Sequence, residues 1–130
     1  MVYRTFWFNA RSSATIGLMD CLMRDEAGVV DDLDPFYEIN LCDPSSRASV
    51  RKVHTDTEEM VVDESVCGDH WEVVTVAFVD GKTINVGYGT VPNENLFLTW
   101  TDDDPLEVNY VAVKTGDGFD GHWMLNRVDE

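Results

Sequence analysis

Three histidines, each close to a carboxylate, are the residues with the plainest chemistry: His54 with Asp56, His70 with Asp69 and His122 with Asp120. A neighbouring carboxylate favours one imidazole tautomer and raises its pKa, which is how a side chain is prepared for acid–base work. His122, beside Trp123, is the preferred catalytic candidate of the three. Arg127, the basic residue of the last expected strand, is the second. Either would polarise a held molecule rather than attack it. In a chain with 25 acidic residues such neighbours also arise from composition. Neither a G-x-S-x-G elbow nor a phosphate-binding P-loop occurs, so no nucleophile is marked and enzymatic activity is left open.

A second constellation is aromatic. Tyr88, Trp100, Tyr110 and Trp123 fall on successive expected strands, and Trp and Tyr offer flat apolar faces with one polar handle each. With suitable strand parity they line one cavity, with Asn109 and Arg127 as its polar complement. The competing reading is that the rings simply fill a core and that Arg127 lies outside, paired with Asp129 or Glu107. Asp102-Asp103-Asp104 and the Asp117–Gly121 turn carry oxygen ligands, but neither has the spacing of a twelve-residue calcium loop. They read as solvated turns, and neither a metal nor a cofactor is expected. Cys21, Cys42 and Cys67 form no C-x-x-C pair, and an odd count leaves at least one unpaired in a monomer. Free thiols in a reducing cytoplasm are the expectation; a mature secreted chain would instead allow a Cys42–Cys67 bridge.

The length of 130 residues fits a single domain, and 44% hydrophobic residues suffice for a core. The formal net charge is −16, against direct contact with nucleic acid or an anionic membrane. No stretch is long and apolar enough to span a bilayer, and the start lacks the pattern of a signal peptide. The charge is uneven: residues 1–52 hold six basic and eight acidic side chains, residues 53–130 three and seventeen. Solubility in a salty cytoplasm explains such a field, as does a surface that meets a basic partner or imitates DNA.

The elements that must position these residues are mostly strands. Val2–Asn9 is rich in β-favouring residues, and Phe36–Cys42 follows as a strand before the Asp43–Ser46 break. Between them, Ile16, Met19, Leu22 and Met23 recur at helical spacing behind Ser12 and Ser13, predicting one short helix near 13–27. From Ala48 the chain is strand and turn. Val50–Asp56 and Glu59–Asp63 form a bent strand or short hairpin, and His70–Val79 is apolar on both faces, as a strand buried on both sides must be. Asp80-Gly81 is a type I′ hairpin signal returning through Thr83–Thr90. Strands at Leu96–Trp100, Leu106–Val113 and His122–Val128 complete an expected five-strand antiparallel meander. The fold class is mainly β, seven to nine strands closing into a small barrel or strongly curved sheet.

Asp80-Gly81, the Gly87-Tyr88-Gly89 step, Leu96–Trp100, Val108–Val113 and Gly118-Phe119-Asp120-Gly121-His122-Trp123 together resemble the repeat style of lipocalin-like barrels of the calycin type. The resemblance spans residues 80–125 and implies a cup for an apolar or aromatic ligand, sometimes recruited for isomerisation or cyclisation. In the lipocalin pattern Gly-x-Trp lies near the first strand, whereas here it lies near the C-terminus. The leading functional expectation is therefore a small-molecule-binding barrel. The alternative is an acidic, non-enzymatic inhibitor or immunity-type protein that covers a basic surface of a partner.

Overall fold

The computed structural model describes residues 2–10, 14–19, 35–42, 47–53, 60–64, 66, 71–114 and 121–129, the last of these as backbone. Ten strands are present: β1 (Val2–Ala10), β2 (Thr15–Met19), β3 (Phe36–Asn40), β4 (Ala48–Val53), β5 (Met60–Val62), β6 (Glu72–Val79), β7 (Thr83–Tyr88), β8 (Leu96–Thr101), β9 (Tyr110–Lys114) and β10 (Gly121–Asp129). They form two five-stranded sheets, in the orders β10-β1-β6-β7-β8 and β5-β4-β3-β2-β9. Every pairing is antiparallel.

The architecture follows from period-two patterning on both sheets. In the first sheet Phe6 and Phe8 of β1, Val74 and Val76 of β6, Ile84 and Val86 of β7 and Leu98 of β8 are buried; in the second, Ile16 and Leu18, Tyr37 and Ile39, and Ala48 and Val50 are. These alternate positions form one cluster between the sheets. Each fully buried large apolar side chain contributes about 1.5–3 kcal/mol. The outer face of the first sheet is closed in places too. Thr5 and Thr75 are buried there with their hydroxyls 3.0 Å apart, and Thr75 Oγ1 donates to Gly89 O at 2.7 Å.

Three expectations are corrected. The mainly-β reading holds, but the two sheets stay open and face each other instead of closing into a barrel. Thr15–Met19 is a strand, so the expected helix is absent where the chain is described; residues 20–34 lie outside the described part. Its five residues are all buried, which satisfies a helical and an alternating pattern alike, and pairing with β3 and β9 decides for the strand. The meander is real only for β6-β7-β8. β9 then crosses to pair with β2, and β10 returns to pair with β1. The hairpin signal is matched: Asp80 and Gly81 both have positive φ, 54° and 69°, and Lys82 N–H donates to Val79 O at 3.1 Å.

Candidate functional site

At one end of the sandwich the two sheets leave a hollow. Phe6 and Val76 come from the first sheet and Leu18 and Val111 from the second, and Val2, Tyr3, Arg4, Phe78, Val108 and Asn109 complete its lining. Its volume is about 70 Å³. A wider, more open groove of about 350 Å³ adjoins it, walled by Phe78, Gly81, Pro105, Leu106, Glu107, Val108 and Asn109. Phe78, Val108 and Asn109 belong to both, so cavity and groove share a wall.

Arg4 is the cation of the cavity lining. It shares the inward parity of Phe6 and Phe8, a charge set where the strand pattern calls for an apolar side chain. Among the described residues none gives it an ion pair or a side-chain hydrogen bond. Its paired positions are Val76 on β6 and Arg127 on β10.

The groove wall is held in place by a buried polar cluster. Lys52 on β4 and Asp102, just after β8, form an ion pair at 2.9 Å with side chains only 6% exposed. Tyr37 OH donates to the same carboxylate oxygen at 2.8 Å, and Leu106 N–H donates to that hydroxyl at 2.8 Å. Lys52 Nζ donates to Asp104 O at 2.5 Å, and Asp104 N–H to Asp102 Oδ1 at 3.0 Å. Burial alone would raise the Asp102 carboxyl pKa. The Lys52 ammonium, the Asp104 amide and the Tyr37 hydroxyl outweigh it and hold the pKa below the usual value. Burial, then the bond to Asp102 and the charges of Asp102 and Asp104, push the Tyr37 hydroxyl well above its usual range despite the Leu106 amide. The cluster pins the β8–β9 connection, which crosses between sheets, onto β3 and β4. Tyr37 also packs edge-on against Trp100 at 5.8 Å and against Phe78 at 6.0 Å, behind the shared wall.

Of the residues singled out in the sequence, Asn109 lines both hollows, and its amide N–H donates to Met19 O at 2.9 Å. Trp100 packs into the inter-sheet core. Tyr88 stands half-exposed at the far end of β7. Its ring lies 4.5 Å from that of Phe97, and its hydroxyl donates to Glu64 Oε2 at 2.6 Å. Burial and the Glu64 carboxylate push its pKa up to about 12. Tyr110 is exposed on β9. The structure thus does not gather Tyr88, Trp100 and Tyr110 around one hollow, because neighbouring strands place them at different levels and on different sheets. His122, Trp123 and Arg127 occupy positions on β10 opposite Asn9, Phe8 and Arg4. His54, His70, Cys21, Cys67 and the Asp117–Asp120 turn lie outside the described residues. Cys42 is disulfide-bonded, correcting the free-thiol expectation for that residue. Val66 N–H donates to Leu41 O at 2.8 Å, tying together the residues that precede Cys42 and Cys67.

Sequence reading missed Arg4, Lys52 and Tyr37, and it placed Asp102 in a solvated turn, whereas the side chain is buried against Lys52 and Tyr37. The signal was available in Arg4 and Lys52, each a charge at an inward position of an alternating strand. The G-x-G-x-x-G spacing of Gly116, Gly118 and Gly121 was passed over as well. From Gly121 onward the chain forms β10, antiparallel to β1, whereas a dinucleotide loop needs a helix there. Among the described residues no three carboxylates, histidines or cysteines gather as a metal-holding group, and no helix is long and apolar enough to cross a membrane.

Searches of curated proteins and of solved structures find no match. A family model described as farnesoic acid O-methyl transferase matches residues 2–128, nearly the whole chain. On that match, this two-sheet β domain belongs to the farnesoic acid O-methyl transferase family.

Proposed function

We propose that the domain binds a small apolar molecule bearing an acid end, which meets Arg4 while the apolar body runs past Phe78 and Val108 into the groove. The observation that carries this reading is the wall of Phe78, Val108 and Asn109 that cavity and groove share, with an inward-facing Arg4 in the cavity lining. Size sets the division of labour. A cavity of about 70 Å³ is less than half the roughly 150 Å³ of a dry cavity known to take benzene. It therefore holds only the end of a ligand. The groove of about 350 Å³ falls at the low end of the roughly 300–1,000 Å³ of small-molecule sites and takes the rest. Farnesoic acid, the acid in the family description, has this form: a branched apolar chain ending in a carboxylate.

A methyl transfer would also need a donor, of which S-adenosylmethionine is the common kind. The described residues do not fit one. The inner cavity is far below the size of a nucleoside, and the glycine spacing that could cradle one runs into an antiparallel strand. The proposed activity is accordingly binding and positioning. Asn109 adds a polar residue to the same lining as Arg4, and the apolar lining excludes water from the held chain.

Calorimetric titration with farnesoic acid and with farnesol, its alcohol counterpart, tests this. The acid should bind about tenfold or more tightly than the alcohol, since a charge-assisted hydrogen bond contributes about 1.5–3 kcal/mol. Arg4→Gln should erase that preference, and Val108→Trp should weaken both ligands by filling the shared wall. Equal binding of acid and alcohol would remove Arg4 from the reading; no binding of either would refute the site.

A further inference from the structure

Away from the cavity, β8 forms the outer edge of the first sheet, and no described strand pairs with its other side. Its sequence, Leu96-Phe97-Leu98-Thr99-Trp100-Thr101, has no charge and no proline. Natural edge strands are normally blunted by lysines, prolines, bulges or shortness, because unpaired amides and carbonyls template further pairing. The one irregularity, a register shift between Val86 and Gly87, lies on the side facing β7. The adjacent edge of the second sheet, β5, is only three residues long.

The surroundings select what such an edge can accept. Leu96, Tyr88, Met60 and Val61 are large apolar residues exposed near it. Acids frame them: Glu94 before β8, Asp103 and Asp104 after it, and Asp63 and Glu64 after β5, all exposed. Lys82 is an exposed base beside the strand end, where its carbonyl accepts from Asp102 N–H at 2.9 Å, and the buried Lys52 is already paired with Asp102. A second copy of this chain would bring another net charge of −16 to the same edge, so self-pairing is opposed. We propose that the free edge of β8 receives an extended segment of a partner protein as an added strand, one that alternates lysine or arginine with apolar residues. Main-chain hydrogen bonds would supply the grip, and the acidic frame would select the partner and speed its encounter. The inference is independent of the cavity reading, since it uses none of the cavity residues.

The probe is a labelled synthetic octapeptide of alternating lysine and valine, with a glutamate–valine octapeptide as control, followed by fluorescence anisotropy. Amide hydrogen exchange then locates the contact. The expected result is binding of the lysine peptide, weakened about tenfold or more by raised salt, with new protection confined to the Leu96–Thr101 amides. Glu94→Lys combined with Asp103→Lys should weaken binding about tenfold or more. Both are exposed surface changes, and an unchanged urea midpoint will show that they leave the fold intact. Failure of the lysine peptide to bind, equal binding of the glutamate peptide, protection elsewhere than β8, or a concentration-dependent dimer would each overturn the proposal.

Discussion

Replacing Lys52 by methionine tests how the sandwich holds its groove wall. The substitution keeps the apolar stem and removes the ammonium, leaving the Asp102 carboxylate, 5% exposed, with only the Tyr37 hydroxyl and the Asp104 amide. Removing one member of a buried ion pair costs about 3–5 kcal/mol. The two surviving hydrogen bonds place the expected loss near the lower end, about 3 kcal/mol, a large share of the roughly 5–15 kcal/mol that stabilises a domain. With a urea slope near 1.5 kcal/mol/M, the midpoint should fall by about 2 M. Lys52→Met with Asp102→Leu should cost less than Lys52→Met alone, because no unpaired charge stays behind. The acid limb supplies a second readout. The Asp102 pKa is lowered in the folded state, so its stabilisation is present above the unfolded carboxyl value near 3.9 and is lost as pH falls through the folded value. The wild type should lose stability below about pH 4 that the double variant does not. A single variant within about 0.5 kcal/mol of wild type, or a double variant costing the sum of its parts, would refute the reasoning.

Gly87→Ala should destabilise by about 1–3 kcal/mol in a urea titration, because an added Cβ would lie 2.2 Å from the Glu94 carbonyl, a backbone atom that cannot swing away. Reduction of the protein should lower its stability in a urea titration by about 2–4 kcal/mol through loss of the Cys42 disulfide. Peptide mapping under non-reducing conditions should recover Cys42 linked to Cys67. Tyr88→Phe should change stability by less than about 0.5 kcal/mol, since its bond to Glu64 is exposed to water.

Strand identity was legible wherever alternation was strong. β1, β6 and β7 stand within two residues of where their patterns place them, and the Asp80-Gly81 turn has the positive φ pair its residue types require. What alternation cannot encode is which strands meet. β8 and β9 are consecutive in sequence yet lie in different sheets, and the Lys52–Asp102–Tyr37 cluster, in which Tyr37 and Asp102 bond across 65 positions of sequence, holds that crossing in place. The aromatic residues drew attention by type, yet Trp100 packs against the core while Tyr88 and Tyr110 are exposed. The residue that gives the cavity its charge, Arg4, sits in the strand where only the apolar neighbours were read. Asn109 lies in the lining of both hollows, where the rings beside it are Tyr3, Phe6 and Phe78 and not the four expected ones.

The most direct test of the central claim is a nuclear magnetic resonance titration of the labelled protein with farnesoic acid. The account predicts shifts concentrated on Val2–Phe6, Leu18, Val76–Phe78 and Pro105–Val111, the walls of the cavity and groove. Saturating shifts confined to other surfaces, or none at all, would contradict it.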